Sequence, residues 1–119
     1  MAWAPGKGFL GGSFGQAPNP TPQRVLRAID IHTGKIAWEL PQAGPDTSWG
    51  GTLSTASGVV FYGDDNGAFS AVDATNGKPL WSFQANQLWK ASPMTYEFDH
   101  KQYVAVASGT TIIAFRLPD

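Results

Sequence analysis

A stretch of the sequence repeats after 43 residues, and this repeat constrains the fold more than any other feature of the chain. Residues 25–40 read VLRAIDIHTGKIAWEL, and residues 68–83 read AFSAVDATNGKPLWSF. The same offset leads on to residues 114–116, where Arg116 stands in place of the expected Asp. A period of about 40–45 residues built from strands and turns is the size of one β-propeller blade. The identical pairs are Ala28/Ala71, Asp30/Asp73, Gly34/Gly77, Lys35/Lys78 and Trp38/Trp81.

Each repeat combines residues that favour a tight turn with a strand that follows it. The Asp can accept hydrogen bonds from backbone amides of the turn, and the Gly can adopt the positive φ that such a turn needs. The Trp falls in the next strand, where its ring can be buried between two sheets. We therefore predict that these residues stack sheets and are not catalytic. They are Asp30, Gly34, Trp38, Asp73, Gly77 and Trp81.

Hydrophobic alternation and turn residues predict nine strands, in groups of two, four and three. The fold class is therefore all-β, a partial β-propeller of two to three antiparallel four-stranded blades. A Gly/Pro-rich segment, 1–23, precedes a blade region at 24–119, divided into a half blade at 24–40, a full blade at 52–84 and a three-stranded partial blade at 93–117. The predicted strands cover residues 24–30, 36–40, 53–56, 59–62, 69–73, 80–84, 94–98, 102–107 and 111–116.

The composition excludes several classes of function. The chain has eight Lys and Arg residues and nine Asp and Glu residues, which give a net charge of −1. It therefore has no excess of basic residues that would indicate binding to nucleic acid or an anionic membrane. No apolar run approaches the roughly 18 residues that cross a bilayer, and no signal peptide follows Met1. Cys is absent, which excludes disulfides, thiolate catalysis and zinc–thiolate sites and leaves the compartment open.

Several short motifs match functional patterns but lack the context that those patterns need. Residues 6–11 fit G-x-G-x-x-G and residues 11–15 fit G-x-S-x-G, yet the surrounding prolines leave no strand before them and no helix after them. The acidic turn at 64–67 has Thr75 where an EF-hand loop needs a bidentate Glu. His32 and His100 lie in predicted turns without a second His at metal spacing. We predict a hairpin turn and two solvated histidines.

The two repeats resemble the blade motif of quinoprotein dehydrogenases. The motif reads A-x-D-x-x-T-G-K-x-x-W at 28–38 and A-x-D-x-T-x-G-K-x-x-W at 71–81. Over residues 8–116 the chain is similar to the C-terminal portion of a pyrroloquinoline quinone (PQQ)-dependent alcohol dehydrogenase. Four further stretches carry the resemblance: WGGTLSTA at 49–56, VVFYG at 59–63, SPMTY at 92–96 and KQYVAV at 101–106.

The resemblance implies an eight-bladed propeller, usually periplasmic, that holds PQQ and a calcium or lanthanide ion on its central axis. Such enzymes pass electrons from an alcohol or sugar to a cytochrome. Eight blades need roughly 340 residues, so the blade region at 24–119 would supply little more than a quarter of one propeller. The family's metal ligands and catalytic Asp belong to blades outside this sequence. We therefore assign no catalytic or metal-binding residue here, and we expect the chain alone to bind no PQQ.

The resemblance also implies a cofactor-facing loop at Trp49-Gly50-Gly51. The family's Trp-Gly-Gly segment lies at the start of an innermost strand, close to PQQ. Gly permits close backbone approach, and Trp offers a π face and one N–H donor. The alternative is that Trp49 only packs against the neighbouring blade. Trp89 lies in the corresponding loop one blade on, where it either lines the same funnel or serves as an exposed interface residue.

Three hypotheses for the function remain open. The chain is a truncated portion of a PQQ-dependent dehydrogenase without catalysis of its own, a stand-alone blade module for binding or assembly, or an enzyme rebuilt by several copies that close a propeller. The third would lack the catalytic carboxylates. A three-stranded last blade leaves an unpaired strand edge. We therefore predict a homo-oligomer formed by strand exchange or blade stacking, with neither nucleic acid nor membrane as a partner.

Overall fold

The computed structural model describes residues 4–8, 24–42 and 49–119. Most of the Gly/Pro-rich segment predicted at 1–23, including the G-x-S-x-G match at 11–15, lies outside these residues. The described residues form nine β-strands and no helix. The strands are β1 (Val25–Ile29), β2 (Ile36–Pro41), β3 (Leu53–Ser54), β4 (Val59–Gly63), β5 (Ala68–Asp73), β6 (Pro79–Gln84), β7 (Met94–Phe98), β8 (Lys101–Ser108) and β9 (Thr111–Arg116).

The strands form three antiparallel sheets in which sequence neighbours pair. The first sheet is β1-β2, the central sheet is β3-β4-β5-β6, and the last sheet is β7-β8-β9. The strand predicted at 53–56 ends at Ser54 because the next residues close a turn, in which Gly58 N–H donates to the carbonyl oxygen of Thr55 at 3.0 Å. The all-β prediction is confirmed.

The turn of each repeat is held by its Asp. The Asp30 carboxylate accepts hydrogen bonds from the backbone N–H groups of His32 at 2.8 Å and Thr33 at 3.0 Å. The Asp73 carboxylate accepts one from Thr75 N–H at 2.7 Å. In both turns the Gly has a positive φ, +69° at Gly34 and +72° at Gly77, a conformation in which a Cβ is strained.

The core lies between the central and last sheets. Phe69, Trp89, Val104 and Val106 form one buried cluster. The Phe69 ring centroid is 5.2 Å from that of Trp89 and 5.6 Å from that of Phe115 in the last sheet. Because aromatic rings bury large areas and attract one another at such distances, this cluster fixes the two sheets face to face.

The first sheet packs against the other side of the central sheet. The Trp38 indole N–H donates to the carbonyl oxygen of Ala74 at 2.8 Å, and its ring lies over Gly77. At the opposite end of the sheets, Arg24 Nη1 lies 3.0 Å from a carboxylate oxygen of Asp65, whose side chain is fully buried. The three sheets are thus stacked in chain order.

Candidate functional site

Because consecutive strands run antiparallel, several loops lie together at one end of the stacked sheets. We call this end the loop end. Trp49-Gly50-Gly51 leads into β3, and the β4–β5 turn returns to the same end, as do the β6–β7 loop and the β8–β9 turn. Backbone and side-chain contacts tie these loops together. Ala85 N–H donates to the carbonyl oxygen of Gly67 at 2.8 Å, and Gly109 lies against the Gln87 side chain.

The two glycines after Trp49 pack tightly against the loop that follows the central sheet. Gly51 N–H donates to Ser92 Oγ at 3.0 Å. A Cβ on Gly50 would lie 2.9 Å from the carbonyl oxygen of Trp89, and one on Gly51 would lie 2.5 Å from Ser92 Oγ. A larger residue at Gly50 would press on the backbone of that loop, and one at Gly51 would displace the Ser92 hydroxyl group. The glycines therefore fix the backbone on which Trp49 stands.

Trp49 projects from this fixed backbone into solvent. Its side chain is 90% exposed, so it adds almost no packing to the sheets described here. An exposed Trp on an anchored backbone can offer both its π face and its N–H to a ligand or to another part of a larger protein. The predicted role of Trp49, Gly50 and Gly51 in cofactor binding stays a prediction.

Trp89 does not have the exposure that the sequence suggested. Its side chain is 0% exposed, and it lies over Gly63, where an added Cβ would overlap its own Cβ. The ring is enclosed by the core because Gly63 leaves space for it beside Phe69. The expectation of an exposed interface residue is therefore wrong. The ring faces the core, and the carbonyl oxygen of Trp89 is the atom that lies beside Gly50. Its contribution to a cofactor site stays a prediction.

A cleft of about 500 Å³ opens beside the β6–β7 loop. The exposed Lys90 stands on its wall, and Gly109 of the β8–β9 turn lies across from it. An exposed ammonium group at the loop end can attract an anionic ligand, as ammonium groups at such sites commonly do.

The acidic turn at 64–67 is a structural turn in this chain. The Asp64 carboxylate accepts hydrogen bonds from Asn66 N–H at 2.9 Å and Ala68 N–H at 2.7 Å, and Asp65 pairs with Arg24. Across the described ranges, no three His, Asp or Glu side chains are grouped so that they could hold a metal ion. His32 and His100 are exposed, and His100 adopts a φ of +56° in the β7–β8 turn.

Among the residues that the structure describes, two carboxyl groups have lowered pKa values, and both lie at the end opposite the loop end. Backbone hydrogen bonds from His32 and Thr33 lower the pKa of Asp30 below its ordinary value. Hydrogen bonds from Arg116 and Lys101 lower the pKa of Asp119. In the part of the chain that the structure describes, no helix is long and apolar enough to cross a membrane.

Sequence reasoning missed two contacts that shape the loop end. Arg24 and Asp65 are far apart in the sequence, and no local pattern pairs them. Ser92, which accepts the hydrogen bond from Gly51 N–H, lies in the SPMTY stretch that carried the resemblance. Its place two residues before the strand predicted at 94–98 is the signal that could have assigned it to this end.

Residues 9–104 match the sequence model of the family described as PQQ, glucose/ethanol/alcohol dehydrogenase, beta-propeller domain. The chain belongs to this family. The resemblance drawn from the repeats is therefore confirmed. The three unclosed antiparallel sheets are blades of a partial β-propeller, as predicted.

Curated relatives and solved structures agree with this assignment. The chain is 40% identical over 110 residues to the quinoprotein alcohol dehydrogenase PedH of Pseudomonas putida, covering 92% of this chain and 18% of the relative. It is 38% identical to the lanthanide-dependent methanol dehydrogenase of Methylorubrum extorquens, with the same coverage. The quinohemoprotein alcohol dehydrogenase from Comamonas testosteroni superposes with a TM-score of 0.71 at 39% identity, over 77% of this chain and 13% of that one. The chain thus spans less than a fifth of these relatives.

Proposed function

We propose that this chain forms blades of a PQQ-dependent alcohol dehydrogenase and supplies part of the wall against which PQQ lies, without catalysing the reaction alone. The family match and relatives named as alcohol and methanol dehydrogenases support the reaction class. One observation carries the proposed role in the site: Trp49 is 90% exposed, while the two residues after it are fixed against the next sheet.

The residues at the loop end fit the chemistry of PQQ. PQQ is a flat, tricyclic tricarboxylate that, when bound, supplies the redox chemistry by which an alcohol is oxidised to an aldehyde. Trp49 offers a flat π face of matching shape, and the bare backbone of Gly50 and Gly51 leaves room for close approach. Lys90 is a cation at the same end, suited to a carboxylate. In this proposal these residues bind and orient the cofactor.

The described residues do not provide a binding site for the calcium or lanthanide ion of the family. No group of three potential ligands occurs among residues 4–8, 24–42 and 49–119, and Asp64 and Asp65 are already engaged in a turn and an ion pair. We therefore propose that calcium or a lanthanide would take its ligands from other blades. The same blades would supply the catalytic carboxylate.

A titration with PQQ, followed by two-dimensional NMR, tests the role of the loop. The sequence indicated that the chain alone binds no PQQ, whereas the exposed Trp49 on its anchored backbone leads us to propose weak binding. We therefore expect the Trp49 indole N–H signal to shift on addition of PQQ. Trp49→Ala should weaken binding about tenfold, since stacking on an aromatic side chain contributes about 1–3 kcal/mol. Ile31→Ala is the matched control, because Ile31 is equally exposed, at 90%, but lies at the opposite end. Equal binding by Trp49→Ala and the unmodified chain would refute the proposed contact, as would the absence of any shift at about 1 mM PQQ.

An assembly module that forms homo-oligomers is the second candidate, and the outer face of the last sheet favours it. Register places Met94, Phe98 and Ile112 on the face turned away from the core, where they are 57%, 69% and 77% exposed. A contiguous apolar face of this kind is typical of an interface. In the dehydrogenase the same face would pack on the following blade.

Sedimentation velocity over a range of concentrations separates the two candidates. The assembly proposal predicts a dimer or larger species that Phe98→Ser combined with Ile112→Ser converts to monomer. Arg27→Ser combined with Ile36→Ser on the first sheet is the control and should leave the mass unchanged. A monomer at about 100 μM would refute the proposed assembly, because even a weak interface of this kind should be populated there.

A further inference from the structure

Two turns of the chain contain an Asn followed directly by a Gly, at Asn66-Gly67 and at Asn76-Gly77. An Asn side chain is open to attack by the backbone nitrogen of the next residue, and a following Gly favours this attack because it has no Cβ to hinder it. Both Asn residues are exposed, and both glycines are buried. Each glycine has a positive φ, +86° at Gly67 and +72° at Gly77. The two turns are therefore matched in sequence, exposure and backbone conformation.

Hydrogen bonds hold both reacting groups of the turn at Asn76. The Gly77 N–H, whose nitrogen would be the nucleophile, donates to the carbonyl oxygen of Asp73 at 2.8 Å. The side-chain oxygen of Asn76 accepts a hydrogen bond from Lys78 N–H, also at 2.8 Å. Both hydrogen bonds must open before the nitrogen can reach the side-chain carbon, so attack at Asn76 requires local unfolding of this turn.

The same two groups are free in the turn at Asn66. Among the residues that the structure describes, none forms a hydrogen bond with the Asn66 side-chain amide, and no carbonyl oxygen accepts one from Gly67 N–H. The backbone is held instead. Asn66 N–H donates to the Asp64 carboxylate at 2.9 Å, and the carbonyl oxygen of Asn66 accepts a hydrogen bond from Gln84 Nε2 at 2.7 Å. The side chain can therefore rotate towards the Gly67 nitrogen while the turn stays folded.

We propose that Asn66 is a site of spontaneous covalent modification, at which the folded chain releases ammonia. The Gly67 nitrogen forms a bond to the side-chain carbonyl carbon of Asn66, and the bond from that carbon to the amide nitrogen breaks. The proton of Gly67 N–H leaves with the ammonia. Water from the solvent then opens the cyclic succinimide. Opening at one carbonyl yields aspartate at position 66, and opening at the other yields isoaspartate, in which the main chain runs through the side-chain carbon.

The modification alters the contacts that join the β4–β5 turn to the β6–β7 loop. Isoaspartate lengthens the main chain by a carbon atom directly before Gly67, where even a Cβ on Gly67 would overlap the carbonyl oxygen of Ala85. Ala85 N–H also donates to the carbonyl oxygen of Gly67 at 2.8 Å. We therefore expect isoaspartate to displace the start of the β6–β7 loop, which carries Lys90. The inference concerns the chemistry of the chain itself and does not depend on PQQ binding.

Mass spectrometry of the full chain during prolonged incubation in neutral buffer tests the proposal. Cleavage after Phe69 places the two turns in different peptides, so the conversion of amide to acid is followed separately at each Asn. We expect Asn66 to be converted about tenfold faster than Asn76 in the folded chain, because two hydrogen bonds protect Asn76. The matched control is the same chain in urea, where neither turn is formed and the two rates should converge.

Variants of the two Asn residues give a second measurement through the ammonia released. Asn66→Ser should abolish most of the release from the folded chain, whereas Asn76→Ser should leave it nearly unchanged. Ser is a common turn residue, so it suits both positions. Two-dimensional NMR of the incubated chain should show shifts at Ala85 N–H and at the Gln84 side-chain amide. If Asn66→Ser does not fold, the rates at each Asn in the unmodified sequence still decide the matter.

Four results would overturn the proposal. No conversion at Asn66 while the chain in urea is converted would show that the folded turn prevents the attack. Equal rates at Asn66 and Asn76 in the folded chain would show that the reaction proceeds through unfolding of the whole chain. A faster rate at Asn76 would show that its hydrogen bonds give no protection. The same ratio of rates in urea as in buffer would show that the local sequence, and not the turn, selects the site.

Discussion

Trp38 and Gly77 form one of the contacts that join the first sheet to the central one. The Trp38 ring lies on the bare backbone of Gly77, and its indole N–H reaches the carbonyl oxygen of Ala74 at 2.8 Å. Both residues belong to the repeat, but to different copies of it. The repeat therefore stacks sheets as well as turning the chain: the Trp of one copy uses the glycine turn of the next.

Replacing Gly77 by Ala should destabilise the chain more than replacing Gly34 by Ala. Both residues have a similar positive φ, which costs about 1–2 kcal/mol for a residue with a Cβ. A Cβ on Gly34 meets nothing within 4 Å, whereas one on Gly77 would press on the Trp38 ring and add about 1–3 kcal/mol of overpacking. Chemical denaturation measures both losses. Equal losses in the free energy of unfolding would show that the Trp38 contact contributes nothing.

Gly63 and Trp89 should be energetically coupled. Trp89→Ala removes a fully buried ring and should lower the free energy of unfolding by about 3–5 kcal/mol. Gly63→Ala places a Cβ where Trp89 lies and should cost about 1–3 kcal/mol. The double variant should lose somewhat less than the sum of the two, because Trp89→Ala removes Cγ and Cδ1, two of the three atoms that the added Cβ would meet, although the Cβ of residue 89 remains. A double-variant cycle measured by urea unfolding checks this, and strict additivity would contradict the packing described.

The buried Arg24–Asp65 pair should matter far more than the exposed Arg27–Glu39 pair. Asp65→Ala leaves Arg24, whose side chain is 20% exposed, without its carboxylate partner, and should cost about 3–5 kcal/mol. Glu39→Ala breaks a pair whose side chains are 46% and 41% exposed and should cost about 0–1 kcal/mol. Thermal unfolding at two salt concentrations measures both effects. A small loss for Asp65→Ala would mean that water replaces the partner.

The sequence predicted the number and grouping of the strands because both signals are local. Alternation of hydrophobic and polar residues predicts a strand. An Asp followed four residues later by a Gly predicts the turn after it, as at Asp30 and Gly34. The period of 43 residues then indicated the blade architecture. These features do not depend on contacts between sheets, so the sequence alone predicts them.

The burial of Trp89 could not be predicted in the same way. It sits in a loop between Leu88 and Lys90, a context that suggests exposure. Its ring is buried because Gly63, at the end of β4, leaves space for it. The Arg24–Asp65 pair depends likewise on how two sheets stack. Contacts between sheets are set by tertiary packing, and the resemblance to a family, which placed Trp49-Gly50-Gly51 at a cofactor site, does not report them.

The Asp30 turn should make stability depend on pH in the acidic range. Hydrogen bonds from the backbone amides of His32 and Thr33 lower the pKa of the Asp30 carboxyl group from its ordinary value of 3.8. The unfolded state therefore takes up the proton first, so the contribution of Asp30 is present above about pH 4 and is lost as the pH falls through its lower folded-state pKa. Asp30→Asn keeps an acceptor oxygen without the charge and should flatten the fall in melting temperature between pH 5 and 2. Asp99→Asn, in the β7–β8 turn, is the control, and an equal effect from both would contradict the prediction.

Trp49→Ala should leave folding unchanged, and this separates a binding residue from a packing residue. The side chain is 90% exposed, so its loss should change the free energy of unfolding by no more than about 0.5 kcal/mol. Gly50→Ala, by contrast, places a Cβ 2.9 Å from the carbonyl oxygen of Trp89 and should cost about 1–3 kcal/mol. Thermal and urea unfolding of both variants gives the comparison. A large loss for Trp49→Ala would support the alternative that Trp49 packs against a neighbouring blade. An unchanged stability with weakened PQQ binding would leave ligand contact as the reason for a Trp at this position.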